Sequence, residues 1–324
     1  MKKLIILLII FILCGCSGRI LKDEPTEVEY VTKLVELGYS QSEAEIADKF
    51  SDELKEKLLI EYDSNVKELL SMNDSENLIN YYLENKDSDL IEFTKDKFFI
   101  LKNIDLYKQY KDEFADTRSL IEYVNSKAYK KPFEEAVEAD TTKGLLMIGS
   151  KIYYLGNYEP ADLQDVDKGY YILSTPKLRS EALKAYIEMS DAARSEGLDF
   201  YISTAYRSYD FQNNLYNSYL KNDPQEVVDT YSSRPGYSDH QIGLSCDIRT
   251  EDKAFGEFTS TKEAEWLKNN AYKFGFINRY PEGKENITGY MYESWHYRYV
   301  GKDVAKIIYD NNITFDEYYA YYVE

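Results

Sequence analysis

Glycine and proline, the residues that most often interrupt regular structure, are missing from a long early stretch of this sequence. No glycine occurs between Gly38 and Gly144, and no proline between Pro25 and Pro132. Because these two residues mark turns and helix ends, a stretch without them is free to be helical. We therefore predict an all-α N-terminal module over residues 31–112.

Helix start signals support this module. Ser40 and Glu43 have the spacing of a capping box before an apolar run, and Ser51 is placed to open the next helix. Further helical segments are predicted at Glu76–Leu83 and Leu90–Asp112. A spacer role is favoured for the module over partner binding, because charged helical faces are usually only solvated.

The texture changes near residue 144 to short alternating runs with glycines, which is typical of an α+β domain. A connecting segment is predicted over 113–143, the α+β domain over 144–301, and a C-terminal helical tail over 302–324. Elements expected in this part are helices at 178–196 and from Ser208, strands at 200–205 and 295–300, and a helix opened by a capping box of Ser260 and Glu263.

The N-terminus has the layout of a secretory signal. Lys2 and Lys3 precede an apolar run that ends at Leu13, too short to span a bilayer comfortably. The following residues look like a bacterial lipobox with Cys16 as the lipidated residue, so 1–16 is predicted as signal and lipobox and 17–30 as a linker. The alternatives are an ordinary signal peptide or an uncleaved anchor. The lipobox and both alternatives imply export of the chain. The lipobox further implies that the protein is anchored to the outer face of the cell membrane.

The charge balance restricts the class of partner. The chain has 39 Lys and Arg against 58 Asp and Glu, a formal net charge of -19. Nucleic-acid binding depends on clustered cations, so the composition argues against it.

If the signal is removed and Cys16 is acylated, Cys246 is the one cysteine left, which excludes an internal disulfide. We interpret Cys246 as a small core residue.

Both histidines of the chain lie close to carboxylates in polar, glycine-punctuated segments. His240 precedes Asp247 by seven residues, and Glu293 precedes His296 by three. A single histidine is more often a core residue than a ligand, but two in this context favour a metal site. Imidazole and carboxylate are normal zinc donors, and a catalytic zinc has three protein ligands and one open position.

Strand geometry separates the roles of these residues. His240 and Asp247 are an odd number apart, so a straight strand would point them to opposite faces, and Gly243 provides the freedom for a bend between them. The same parity places Glu293 in the turn before the strand of His296. Glu293 is therefore expected near the metal without binding it, where a carboxylate can take a proton from water.

Several motifs in order resemble the VanY-type D-alanyl-D-alanine carboxypeptidases, a family of zinc peptidases. The sequence SDHQIGLSCD over 238–247 is similar to their pattern SxHxxGxxxD, and ESWH over 293–296 to their ExxH. The likeness extends to YRSYDFQ, RPG and the run from Trp266, and it covers Gly144 to Gly301, about half of the chain. Asp239 stands where relatives commonly have glutamate.

The resemblance implies roles for individual residues. His240, Asp247 and His296 would bind one Zn²⁺ per chain, Glu293 would be the general base, and Arg207 would stabilise the oxyanion of the tetrahedral intermediate. Gln212 and Ser238 resemble residues that hold the terminal carboxylate of the substrate. The implied fold is a small mixed or antiparallel sheet flanked by helices, that of the zinc D-Ala-D-Ala peptidases.

The function implied is removal of the terminal D-alanine from peptidoglycan stem peptides. An L,D-carboxypeptidase and a D-Ala-D-Ala dipeptidase remain alternatives, because pocket walls decide the substrate and the zinc motif does not. A catalytically silent lipoprotein that binds wall peptides is a further alternative, although it would not need Glu293. A purely structural metal is disfavoured, since structural zinc normally has four protein donors.

Overall fold

The computed structural model describes residues 27–324, so the predicted signal sequence and Cys16 lie outside the described residues. These residues divide into two compact units, one that ends at Ile91 and one that begins at Glu92. Among residues 27–324, no helix combines the length and the apolar character that crossing a membrane would require.

The described part of the first unit is helical, which confirms the prediction from its lack of glycine and proline. Its core contains buried Leu34, Leu54 and Leu69, and the predicted capping box is present, with the Ser40 amide donating to Glu43 Oε2 at 2.7 Å. The helices are α1 (Glu27–Leu37), α2 (Gln41–Ala47), α3 (Asp52–Leu58), α4 (Ser64–Leu70), α5 (Ser75–Asn85) and α6 (Ser88–Phe93), the last of which runs across the division between the units.

The segment predicted as one helix over Leu90–Asp112 is interrupted. It contains the end of α6, a turn region, and α7 (Ile104–Tyr110). In the turn, the Asp96 side chain accepts a hydrogen bond from the Phe98 amide at 2.8 Å, a local contact that competes with helical bonding. The helices after Glu92 belong to the second unit, although the sequence placed them in the N-terminal module up to residue 112.

A four-stranded antiparallel sheet lies at the centre of the second unit, in the order β5-β6-β8-β7. A parallel pair, β1-β2, and an antiparallel pair, β3-β4, complete the strands, which confirms the α+β class with small sheets. The strands are β1 (Val137–Glu138), β2 (Tyr153–Tyr154), β3 (Leu163–Asp165), β4 (Lys177–Arg179), β5 (Tyr201–Thr204), β6 (Ser245–Arg249), β7 (Phe276–Asn278) and β8 (His296–Tyr299).

Helices surround this sheet, and their start signals are mostly those expected. Ser208 caps its helix, with its hydroxyl accepting from the Phe211 amide at 3.2 Å. The helices are α8 (Thr117–Asn125), α9 (Ser180–Ser195), α10 (Tyr209–Tyr219), α11 (Gln225–Tyr231), α12 (Phe255–Phe258), α13 (Lys262–Asn270), α14 (Glu285–Thr288), α15 (Lys302–Asn311) and α16 (Phe315–Tyr322).

One predicted helix start is wrong. The expected capping box of Ser260 and Glu263 does not form, and Thr261 caps α13 with its hydroxyl accepting from the Ala264 amide at 3.1 Å. Both hydroxyl residues can cap a helix, but the Ser260 hydroxyl donates to the Glu257 carbonyl in the preceding helix at 3.0 Å, and the cap lies one residue later.

Candidate metal centre

Two of the predicted ligands lie side by side on the central sheet. Asp247 of β6 is paired directly with His296 of β8, and on its other side with Thr204 of β5. Directly opposed residues in an antiparallel pair point to the same face with their Cβ atoms close together. The register of β6 against β8 therefore brings a carboxylate and an imidazole to one point.

The third predicted ligand comes from a turn that precedes β6. His240 lies in a 3₁₀ turn over Asp239–Ile242, and Gly243 ends this turn with a φ of +75°. The backbone angle favours glycine here, and a Cβ on Gly243 would in addition lie only 3.0 Å from the Pro160 and Leu163 side chains. This bend returns His240 to the same face as Asp247, as the sequence parity required.

The three side chains converge. Asp247 Oδ1 lies 3.3 Å from His240 Nε2 and 3.2 Å from His296 Nδ1, and one ligand atom of each residue lies within 4.8 Å of the others. All three residues are buried. Two imidazole nitrogens and one carboxylate oxygen are a donor set that zinc prefers.

The protonation state of His240 leaves a lone pair on its Nε2 atom. Its Nδ1 lies 2.8 Å from the carbonyl oxygen of Ala205, which can only accept, so Nδ1 carries the proton of the neutral ring. Burial, and then the charge of Arg207, lower the pKa of His240 to about 4, so this ring is neutral at pH 7. Its Nε2 lone pair then faces Asp247 Oδ1, a buried oxygen without a hydrogen-bond partner. Opposed lone pairs at this distance favour a cation between them.

His296 is oriented by an acid on its other side. Its Nε2 lies 3.3 Å from Asp239 Oδ2, which leaves Nδ1 to face Asp247. Burial opposes a charge on this ring, but the neighbouring carboxylates of Asp239, Asp247 and Glu293 raise the pKa of His296 well above its usual range. A metal ligand whose second nitrogen donates to a carboxylate is the usual arrangement in zinc sites.

Glu293 lies beside this cluster but outside the converging atoms. It precedes β8 in a turn, where its amide donates to the Tyr280 carbonyl at 3.1 Å, and its Oε2 is 3.5 Å from His296 Nδ1. Burial raises the pKa of Glu293, while the hydrogen bond and charge of His296 act in the opposite direction. A buried carboxylate with a raised pKa next to a cation site is suited to accept and return a proton.

Arg207 approaches the cluster from the segment after β5. Its Nη2 donates to Asp247 Oδ2 at 2.7 Å, and its side chain is 17% exposed. The ion pair of Arg207 is thus made with a predicted ligand and lies largely buried, whereas a simple surface pair would be exposed. Burial opposes ionisation, but His240, His296 and Arg207 together hold the pKa of Asp247 well below its usual range.

A cavity of about 200 Å³ opens onto the converging atoms. Gln212 and Ser238 are both buried and line it, as do Arg207, Glu293 and the three predicted ligands. Gln212 Nε2 donates to the Ser233 carbonyl at 2.7 Å, and its Oε1 is buried without a hydrogen-bond partner. Every site residue predicted within the described chain therefore borders one cavity.

Sequence reasoning missed the role of Asp239. This residue was noted only as a departure from the commoner glutamate, yet its carboxylate is fully buried and accepts from Arg298 Nη1 and the Ser245 hydroxyl. Burial opposes its ionisation, but Arg298, His296 and Arg279 hold the pKa of Asp239 well below its usual range. The available signal was strand alternation, which places Arg298 on the same face as His296.

Comparison with known proteins agrees with these motifs. Residues 175–302 match the family described as VanY: D-alanyl-D-alanine carboxypeptidase. The chain is 40% identical over 184 residues to YodJ of Bacillus subtilis, which is named as a carboxypeptidase, covering 55% of this chain and 67% of that protein. It is 34% identical over 188 residues to a D-alanyl-D-alanine carboxypeptidase of Enterococcus faecium, covering 56% of this chain and 58% of that protein.

A solved structure shares the fold. The LD-carboxypeptidase LdcB is 36% identical, with a TM-score of 0.54, over 57% of this chain and 90% of the solved chain. Each of the three likenesses covers between 55% and 57% of this chain, so the rest of its length lies outside them.

Proposed function

Because the chain belongs to the VanY family of D-alanyl-D-alanine carboxypeptidases, we propose that it is a zinc peptidase that removes the terminal D-alanine from peptidoglycan stem peptides. The observation that carries this proposal is the meeting of His240 Nε2, Asp247 Oδ1 and His296 Nδ1 beside Glu293 at one cavity. Three donors with a neighbouring carboxylate are the composition of a catalytic zinc site, not of a structural one.

The residues present fit a zinc ion. The buried, unpartnered Asp247 Oδ1 and the neutral His240 ring would be stabilised by a divalent cation, and His296 would lose the proton on Nδ1 when it binds one. A bound zinc ion supplies Lewis acidity, which polarises the scissile carbonyl and lowers the pKa of a water molecule to about 7. Asp239 would keep the His296 ring in the required orientation throughout.

The chain's own residues supply the proton transfers. Glu293, buried and 3.5 Å from His296 Nδ1, would take a proton from the attacking water and deliver it to the leaving amine. Arg207 borders the same cavity and would face the negative charge that develops on the carbonyl oxygen when water attacks the carbonyl carbon. Its pairing with Asp247 holds the guanidinium in place before substrate arrives.

Binding of the substrate's terminal carboxylate is assigned to Gln212 and Ser238, which line the same cavity. Gln212 is anchored through the Ser233 carbonyl, and Ser238 lies at the start of the turn that carries His240. A small cavity of about 200 Å³ suits a terminal alanine, whose methyl group needs little room. The remainder of the stem peptide would extend towards solvent.

The choice between D,D- and L,D-carboxypeptidase activity is open to a direct test. The E. faecium relative is named for the first activity and the solved LdcB structure for the second. We would incubate the purified full chain with synthetic pentapeptide and tetrapeptide stems, with and without a chelator, and follow loss of alanine by mass spectrometry. Expected is loss from the pentapeptide that stops on chelation and returns with zinc.

Other outcomes of this assay separate the alternatives. Preferred cleavage of the tetrapeptide would assign the L,D-activity, and cleavage restricted to free D-alanyl-D-alanine would assign the dipeptidase. Peptide binding without cleavage by the zinc-loaded chain would favour a silent wall-binding protein. Cleavage that persists after complete metal removal would contradict the zinc mechanism.

We propose further that the protein is an exported lipoprotein held at the outer face of the cell membrane through Cys16. The support is the sequence alone: a basic start, an apolar run and small residues before this cysteine. Cys16→Ser is expected to move the protein from the membrane fraction and to abolish incorporation of labelled fatty acid. Cys246→Ser, at a buried cysteine, is the matched control and should leave both unchanged.

A further inference from the structure

A chain of buried charged residues connects the candidate metal centre to the C-terminal helix α16. Its members are Asp239, Arg298, Arg279 and Asp316, whose exposed fractions are 1%, 0%, 0% and 8%. Asp239 lies in the turn that carries His240, and Arg298 lies in β8. Asp316 lies in the first turn of α16, beyond the residues 175–302 that match the family. Buried charges at this density are costly unless they are paired, so their arrangement carries information.

Each contact in the chain leads to the next. Arg279 binds Asp316 through two hydrogen bonds, Nη1 to Oδ2 at 2.5 Å and Nη2 to Oδ1 at 3.2 Å. The Nε atom of the same guanidinium lies 3.8 Å from Asp239 Oδ1. Asp239 in turn accepts from Arg298 and lies 3.3 Å from His296 Nε2. Two residues, Arg279 and Asp239, thus lie between Asp316 and the predicted metal ligand His296 in this series of contacts.

The charges of these four buried residues balance only when Asp316 is counted. Asp239 and Asp316 bring two negative charges, and Arg279 and Arg298 bring two positive ones. Without Asp316, Arg279 would have Asp239 as its one acidic partner among these residues and would draw closer to it. Asp239 would then be a poorer acceptor for His296, since two guanidinium groups would compete with the imidazole for one carboxylate.

We propose that Asp316 is a positioning residue of the metal centre, which acts through Arg279 and Asp239 on His296. The inference rests on the proposed function, because it needs a metal at His240, Asp247 and His296. By holding Arg279 with both oxygens, Asp316 leaves Asp239 free to keep the His296 ring oriented with Nδ1 towards the metal. Helix α16 is therefore part of the catalytic unit.

The neighbouring residue supplies a matched control. Glu317 lies in the same first turn of α16 and is 0% exposed, but its carboxylate contacts Lys284 at 3.4 Å and Arg118 at 3.6 Å. It also caps the helix by accepting from the Thr314 amide at 2.7 Å. Glu317→Gln removes a buried charge of the same helix without touching the chain that leads to His296.

The test measures zinc affinity by competition with a chromophoric chelator, using the full chain in each variant. Asp316→Asn is expected to raise the Kd for zinc by roughly three- to tenfold. Substitution of a residue in direct contact with a metal ligand typically weakens metal binding by about 10- to 100-fold, and Asp316 acts less directly. Glu317→Gln should lower the melting temperature while leaving this Kd unchanged. Asp316→Glu, which restores the charge, should recover most of the affinity and serves as the second variant if Asp316→Asn does not fold.

A double variant tests the route. In an Asp239→Asn background, Asp316→Asn should add nothing further to the Kd for zinc, because its path to His296 is already cut. An unchanged Kd in folded Asp316→Asn, or an equal loss in Glu317→Gln, would overturn the inference. A wild-type chain that binds zinc without cleaving peptide would overturn the proposed function alone, since the comparison of Kd values would still stand.

Discussion

Glu293→Gln is expected to lower kcat for stem-peptide hydrolysis by roughly a thousandfold, within the range of about 10²–10⁴ for a positioned general base. Zinc affinity should remain within a few-fold of wild type, because Glu293 lies outside the three converging donor atoms. KM should change little, since the glutamine side chain has nearly the same shape. Steady-state kinetics with the zinc-loaded protein and a parallel zinc titration would measure these three quantities.

The physical reason is that glutamine can neither accept a proton from water nor return it to the leaving amine. Glu293 is buried, with its Oε2 3.5 Å from His296 Nδ1. A carboxylate on the protein surface or in the buffer therefore cannot readily take its place. Within the site the remaining acids are Asp239 and Asp247, and both are held as carboxylates by arginine and histidine partners.

The pH profile adds an independent check. Burial raises the pKa of Glu293, ahead of the opposing influence of His296. A base must be deprotonated to act, so kcat/KM should fall as pH drops through this titration and reach a plateau above it. The residual activity of Glu293→Gln should lack this acid limb.

Glu282→Gln provides the control, because Glu282 is an exposed glutamate eleven residues earlier. Its activity and pH profile should match those of wild type. Near-normal turnover by zinc-loaded Glu293→Gln would remove this residue from the chemistry. Loss of zinc together with activity would show instead that Glu293 acts as a ligand.

The sequence predicted those parts of the fold that depend on local signals. The long stretch without glycine or proline is helical, and the capping residues Ser40 and Ser208 begin helices where expected. The errors occurred where two local signals competed. Ser260 and Thr261 are both suitable caps, and Thr261 is the one used, while the Ser260 hydroxyl donates to the Glu257 carbonyl of the preceding helix. Asp96 similarly interrupts a segment whose composition favours a helix.

The candidate site was predictable because strand parity is a strict constraint. An odd separation between His240 and Asp247 required a bend, and Gly243 provides it with a φ of +75°. The same argument placed Glu293 in a turn before β8, which begins at His296. Roles of individual residues beyond these positions came from the family resemblance and remain predictions.

The charged residues behind the site could not be predicted, because their contacts join distant parts of the sequence. Arg279 and Asp316 are 37 residues apart, and Arg298 and Asp239 are 59 apart. Strand alternation places Arg298 on the same face as His296, but it does not identify the acidic partner, which depends on how β8, the His240 turn and α16 pack together. The sequence accordingly treated residues 302–324 as a tail, although Asp316 is buried against Arg279.

Asp247→Asn is expected to weaken zinc binding by roughly a hundredfold. Small zinc domains gain about 10–16 kcal/mol from four protein donors, or about 3 kcal/mol for each on average. Asparagine keeps an oxygen in the same place but loses the charge, so most of that share should disappear. Asp247 Oδ1 is also the atom that faces both imidazole nitrogens, at 3.3 and 3.2 Å, so its loss affects the whole donor set.

Thermal unfolding gives the measurement. Zinc at a hundred times the wild-type Kd should stabilise wild type by about 2.7 kcal/mol, a rise in Tm of roughly 5–10 °C. The same zinc concentration should raise the Tm of Asp247→Asn by only a small fraction of this. An undiminished rise in this variant would contradict the assignment of Asp247 as a ligand.

The metal-free variant should also be less stable than metal-free wild type at pH 7. The pKa of Asp247 is depressed in the fold, so its ion pair with Arg207 contributes stability above the unfolded-state value of about 4. That contribution declines as pH falls from about 4 through the lower, folded value, so the gap between the two proteins should persist from pH 7 to about 4 and then narrow.

Cys246→Ala is the control that distinguishes loss of the Asp247 carboxylate from a general disturbance of the same strand. Cys246 is fully buried, and as the strand neighbour of Asp247 its side chain points to the opposite face of the sheet from the predicted ligands. The variant should lower the metal-free Tm through lost packing, yet keep the full rise on addition of zinc. Because the two positions are adjacent in β6, a zinc response lost at Asp247 and retained at Cys246 would localise the metal to one face of the sheet.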